Sequence, residues 1–259
     1  MGTVISIDLR DAHLHDGVLD EAFAWLRQVE QRFSPFIADS DISRLGRGEW
    51  TLEQCHPDVA VVLSLCEDLR QATNGVFNAW GWRADGRVDP SGLVKGWAGE
   101  HVAEMLERAG AANFCINAGG DVIVRGAPEP GRAWRIGIRH PIHAAAQAAV
   151  LETHQLAVAT SGGYERGDHI IDARGGAPSR SLLSLTVAGP SLTLADAYAT
   201  AGFAMGMAGV EWIAAQPGYE PYAVTAEGRV RYSDGFGVLL AKEEREVSAT
   251  MESALPRRR

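Results

Sequence analysis

The sequence is poor in cysteine and in basic charge, and it has no long apolar run. Cys55, Cys66 and Cys115 are its three cysteines, and none stands in a CxxC pair. Neither a disulfide framework nor a structural zinc site is suggested, and a reducing compartment fits best. Lysine and arginine number 24 against 33 acidic residues, a formal net charge of −9 spread along the chain. That balance argues against a phosphate backbone as the main partner, so nucleic-acid binding is a poor first choice. No run is long enough to span a bilayer. Met1 to Leu9 has neither a basic segment nor an uninterrupted apolar stretch. We therefore expect no signal peptide, no membrane insertion and a cytoplasmic protein. Internal repeats and domain linkers are lacking too. With 259 residues, 46% of them hydrophobic, the chain can bury a full core. We expect one compact unit over residues 1–241, with a polar, disordered tail over 242–259 ending in three arginines.

What is present reads as helices and strands in blocks. Thr3 to Leu9 alternates as a strand, and Val18, Ala22, Leu26, Val29 and Phe33 recur at helical spacing. Pro57 opens a second helix, because proline at the first helical position loses no needed hydrogen bond. A glycine-rich passage from Gly75 to Gly96 leads into a third helix that ends at Gly110. Strand-like runs follow at Phe114–Asn117, Val122–Arg125, Trp134–Ile138, His169–Asp172 and Leu183–Val187. A fourth helix covers roughly Leu194 to Met207, and Tyr222 to Tyr232 reads as a hairpin turning at Glu227-Gly228. This order suggests an α+β fold with largely antiparallel sheets, not a regular βαβ alternation.

The chemistry concentrates in a few stretches. In SLTLADAYATAGFAMG, Asp196 and Thr200 stand four apart on an apolar helix, so their oxygens share one face. A carboxylate and a hydroxyl so placed can supply two hard ligands for magnesium or calcium. The alternative is that Thr193 caps this helix with Asp196 as its acidic partner, and Thr200 is only a small packing residue. In VDPSGLVKGWA, Asp89 and Lys95 flank a Ser-Gly turn before a helix, where backbone amides and a lysine can cradle phosphate. The alternative there is a surface loop with a solvated charge pair. NAGGD at Asn117–Asp121, ATSGGYE at Ala159–Glu165 and DHIID at Asp168–Asp172 are individually weak. They can equally be a turn, a flexible loop and a strand start. His13 and His15 have no third ligand candidate nearby and read as surface histidines.

Taken in order, these pieces resemble the ApbE family of FAD:protein FMN transferases. The likeness covers most of the chain: MGT at Met1–Thr3, FSPFIADSDISRL at Phe33–Leu45, GVFN at Gly75–Asn78 in place of GAFD, then VDPSGLVKG, NAGGD, ATSGGYE with HIID, and ADAYAT with its AMG. Ordered motifs are more specific than any single one. The resemblance implies an ApbE-like, T-fold-like α+β fold with packed helices, and a site holding FAD with magnesium on its diphosphate. Asp196 and Thr200 match the side-chain metal ligands, and Gly92 matches the position that offers a main-chain carbonyl. Val76, Phe77, Asn78, Asp89 and Lys95 match FAD contacts. Met1 and Phe36 match positions touching flavin or adenine. His169 and Ile170 match the contact near the reacting phosphate.

The implied reaction is attack of a Thr or Ser hydroxyl of an acceptor flavoprotein on the FMN-side phosphorus, with AMP leaving. His169 is the natural base, its ordinary pKa lying near neutrality, and Asp196 is the other candidate. Rival readings are an FAD diphosphatase, with water as nucleophile, and a non-catalytic flavin-binding protein. The chain departs from the family pattern in four places. The segment between Asn78 and Asp89 is very short, Asn78 replaces an aspartate, Gly46 an asparagine, and Ala173–Gly176 (ARGG) the usual PRTG.

Overall fold

The computed structural model describes residues 3–11, 14, 16–80, 87–143, 145–163, 170, 172–175 and 180–243. Met1, His13, His15, His169 and the tail from residue 244 lie outside the described residues.

Nine strands and seven helices follow one another among the described residues: β1 (Ile5–Leu9), α1 (Asp16–Phe33), α2 (Asp41–Gly46), α3 (Pro57–Ala72), α4 (Ser91–Arg108), β2 (Phe114–Ala118), β3 (Asp121–Arg125), β4 (Trp134–Arg139), β5 (Gln147–Thr153), β6 (Gln155–Gly162), β7 (Leu182–Gly189), α5 (Leu192–Met205), α6 (Met207–Ala214), β8 (Glu220–Thr225), β9 (Val230–Tyr232) and α7 (Asp234–Leu239). Seven strands form one sheet in the order β1-β2-β3-β6-β7-β8-β9, and β4 pairs with β5 separately. Every pairing is antiparallel. The architecture is thus α+β, as the block order of elements suggests.

Burial explains why the central strands read as almost uninterrupted apolar runs. Ile123, Ala157, Ala159, Leu185 and Val187 join the core under the helices. Val122, Val124, Leu156, Val158 and Ala188 pack with Trp134, Ile136 and Leu151 of the β4–β5 hairpin. The sheet is therefore a middle layer covered on both faces, and its inner strands cannot alternate apolar with polar. β1, at one edge, keeps the alternating burial expected of a half-covered strand.

Several expectations are corrected. ATSGGYE is not a flexible loop at its start, because Ala159–Gly162 ends the central strand β6. Ile170 and Asp172 belong to no strand. The third helix starts at Ser91, so the Ser-Gly pair is its first turn and Lys95 lies within it. The fourth helix stops at Met205, since Gly206 at φ +67° breaks it from α6. The FSPFIADSDISRL stretch runs into α2, capped by Ser40. Among the described residues, no helix is long and apolar enough to cross a membrane.

Candidate functional site

The site forms where α4 crosses α5, and three glycines on α4 set how closely they approach. A Cβ on Gly96 would strike the Leu192 carbonyl and come within 2.7 Å of the Asp196 Cβ; one on Gly99 would meet Leu192 Cδ2 at 2.8 Å. One turn before Gly96, a Cβ on Gly92 would lie 3.1 Å from Thr200 Cγ2 and 3.1 Å from Phe77 Cε2. Without those side chains the backbone of α4 rests against the Asp196–Thr200 face of α5. Gly96 N–H then donates to Asp196 Oδ2 at 2.8 Å. By helical register that same N–H faces the Gly92 carbonyl. Sharing the donor leaves the Gly92 oxygen with acceptor capacity to spare.

The start of α5 is fixed across the same contact. Ser191 is its N-cap, accepting from Leu194 N–H. Glu100 of α4 accepts from Ser191 Oγ at 2.6 Å, from Thr193 N–H at 3.0 Å and from the Thr193 hydroxyl. A carboxylate there satisfies exposed donors and complements the positive end of the helix. The capping alternative for Thr193 and Asp196 is overturned. Ser191 caps, Thr193 binds Glu100, and Asp196 points its carboxylate at α4.

Asp196 lies beside Lys95 and beside a second acid, Asp121, that the resemblance did not single out. Lys95 Nζ stands 2.7 Å from Asp121 Oδ2 and 3.7 Å from Asp196 Oδ1. Asp121 Oδ1 accepts from Thr160 N–H at 3.1 Å. Both acids are buried, at 1% and 4% exposure for Asp121 and Asp196. Burial, then the charge of Asp196, raise the Asp121 carboxyl above the usual carboxylate range, with Lys95 opposing. Burial also raises Asp196, against the pull of Lys95 and Gly96 N–H. The sequence signal for Asp121 was faint: an acid heading a strand whose next three residues are apolar, after a Gly-Gly turn at φ +62° and +100°. Asn117 closes that turn by accepting from Gly120 N–H at 2.8 Å.

A second group of residues lies beside Gly92. Phe77, packed on it, is buried with Val76, so these two side chains belong to the core and only their edges and main chain can face a ligand. Thr73 Oγ1 accepts from Phe77 N–H at 3.0 Å, and Asn78 Oδ1 accepts from Trp80 N–H at 2.9 Å. Asp89 N–H donates to the Ala79 carbonyl at 2.8 Å, which ties Ala79 to Asp89. Asp89, 8% exposed, accepts from Ser91 N–H at 3.1 Å and holds the first turn of α4. It is no solvated surface acid. The ARGG departure joins the same neighbourhood: Ala173 N–H donates to the Val76 carbonyl at 3.2 Å, while Arg174 binds Asp172 and holds its carboxyl below the usual range. Ile170 packs against the main core.

The structure thus brings Gly92, Lys95, Asp196 and Thr200 together with Phe77 and Asp121. Phe36 stands apart in burial, 78% exposed, on a loop in which Ser40 Oγ donates to the Ser34 carbonyl at 2.7 Å. Met1 and His169 lie outside the described residues. Among the described residues no cluster of three or more His, Cys, Asp or Glu side chains could hold a metal. A cation here would need the hydroxyl and the carbonyl beside the carboxylate, a hard oxygen set suited to magnesium.

The arrangement defines a compact oxygen-donor site between two helices, and comparison with known proteins gives it a family. The ApbE family profile matches residues 1–80 and 82–223, and the chain belongs to the ApbE family. It is 30% identical over 151 residues to the FAD:protein FMN transferase of Escherichia coli (strain K12), a match covering 54% of this chain and 43% of that protein. It is 26% identical over 249 residues to the FAD:protein FMN transferase of Haemophilus influenzae, covering 72% of each. The chain thus spans less than half of the Escherichia coli relative in that match. The flavin transferase ApbE from Vibrio cholerae has the same fold, with a TM-score of 0.79 at 23% identity over 93% of this chain and 96% of that one.

Proposed function

We propose that this protein transfers the FMN moiety of FAD to a Thr or Ser hydroxyl of an acceptor flavoprotein and releases AMP, in a magnesium-dependent reaction. The observation that carries this reading is the α4–α5 crossing, which sets Asp196 and Thr200 of one helix against Gly92 of the other. The relatives' names supply the substrate and the transferred group. A magnesium ion held by the Asp196 carboxylate, the Thr200 hydroxyl and the Gly92 carbonyl would offset charge on the diphosphate. Lys95 adds a cation beside it, and Asp89 shapes the first turn of α4 by accepting from Ser91 N–H. Transfer forms a bond from the acceptor oxygen to the FMN-side phosphorus and breaks the bridge to the AMP phosphate, which leaves with the bonding pair. The hydroxyl proton goes to His169 or to Asp196. Little covalent chemistry falls to the protein beyond positioning and charge.

The test is a time course with FAD, magnesium and an acceptor bearing an exposed threonine. AMP and FMN-bearing acceptor should appear in near-equal amounts, and an acceptor Thr→Val variant should bring both to background. Free FMN accumulating at the same rate with either acceptor would instead identify a diphosphatase.

FAD selectivity follows from the same site. With magnesium present, calorimetry should show FAD binding at least about tenfold more tightly than FMN, because only FAD carries the diphosphate. Equal affinities would point to a flavin-binding module without this chemistry.

A further inference from the structure

The proposed cation site has an internal competitor. Lys95 is anchored close to Asp196, and an ammonium that closed on that carboxylate would neutralise the oxygen a cation needs. In the structure it stands nearer to a second carboxylate. Its Nζ is 3.7 Å from Asp196 Oδ1 and 2.7 Å from Asp121 Oδ2. Asp121 is itself held: its other oxygen accepts from Thr160 N–H at 3.1 Å, and its backbone is clamped at the end of β3, where Asp121 pairs with Ala118. The anchor therefore sits on the sheet while the cation ligand sits on α5, and Lys95 reaches between them from α4.

We infer that Asp121 is a positioning residue that draws Lys95 off Asp196, keeping one carboxylate oxygen open to a divalent cation while leaving the ammonium at the edge of the site. This rests on the cation assignment above. If Asp121 is truncated, Lys95 loses its nearer carboxylate and shortens its contact with Asp196, because a partly buried ammonium favours close approach to the opposite charge beside it. Cation binding must then break a closer ion pair than the 3.7 Å contact of the intact protein.

The experiment is titration of Mn²⁺ alone into the flavin-free protein, with free Mn²⁺ read by electron paramagnetic resonance, so the outcome does not depend on turnover. Asp121→Ala should weaken Mn²⁺ binding by about tenfold. Asp121→Asn, which keeps an oxygen for Nζ, should weaken it less. The deciding variant is Lys95→Met combined with Asp121→Ala. It carries the same truncated side chain and the same unpaired Thr160 N–H, yet it has no ammonium to close on Asp196, so its affinity should return to within about threefold of wild type. If Asp121→Ala binds Mn²⁺ as wild type does, or if the double variant is as weak as Asp121→Ala, the inference is overturned and Asp121 is only structural. The underlying cation reading fails separately, if wild type and Asp196→Ala bind Mn²⁺ equally.

Discussion

Replacing Asp196 with alanine is expected to lower FMN transfer by about 10³-fold at limiting magnesium while leaving the protein folded. Asp196 supplies the one charged ligand in the proposed cation set, so its loss removes most of the electrostatic grip on the diphosphate. Stability should not follow activity down. Burial raises the Asp196 carboxyl, which means the fold bears a cost for holding that acid at neutral pH. Deleting it relieves that cost and leaves Lys95 paired with Asp121 at 2.7 Å. Thermal unfolding should therefore be unchanged or slightly raised. Wild-type transfer by Asp196→Ala at limiting magnesium would remove the metal assignment altogether.

The second large effect is expected at Gly96, where function and packing share one atom's width. Valine there would drive its Cβ into the Leu192 carbonyl and the Asp196 Cβ, forcing α4 and α5 apart. Overpacking against backbone, which cannot change rotamer, should cost about 3 kcal/mol and lower Tm by roughly 6–12 °C. Whatever remains folded should bind magnesium poorly, since Gly92 moves away from Thr200. Gly17→Ala is the matched control: nothing lies within 4 Å of its Cβ position in α1, so added helix propensity should leave it neutral or slightly more stable. A Gly96→Val protein with wild-type Tm and activity would show that the close crossing is dispensable.

Much of the fold was legible in local patterns. The helix through Ala22, Leu26, Val29 and Phe33, the start at Pro57 and the turn at Gly228 all follow from periodicity and backbone preference. Misreadings arose where distant chain decides local structure. Glycines made Ala159–Gly162 look like a loop, yet pairing with β7 on one side and, earlier in the strand, β3 on the other makes it a strand. Thr193 looked like a cap because Glu100, its partner, lies far back in the sequence. In the site, Asp196 and Thr200 were visible because one helix carries both. Asp121 was not, since its burial comes from strand neighbours and its partner Lys95 from another helix. Val76 and Phe77, matched to FAD contacts by the resemblance, have side chains buried in the core.

The contact between Gly96 and Asp196 joins positions 100 residues apart, with β2 to β7 between them. On the ribosome, a chain that has emerged only through β6 already carries Gly92, Lys95 and Asp121 but lacks both proposed cation-binding side chains. Such a fragment has no local half of the site to stabilise, and loop closure over that span is entropically costly until the sheet has formed. Flavin and metal therefore cannot template the early steps of folding. They can stabilise only the finished molecule, so nascent chains depend on the apolar sheet and helix core for their first structure.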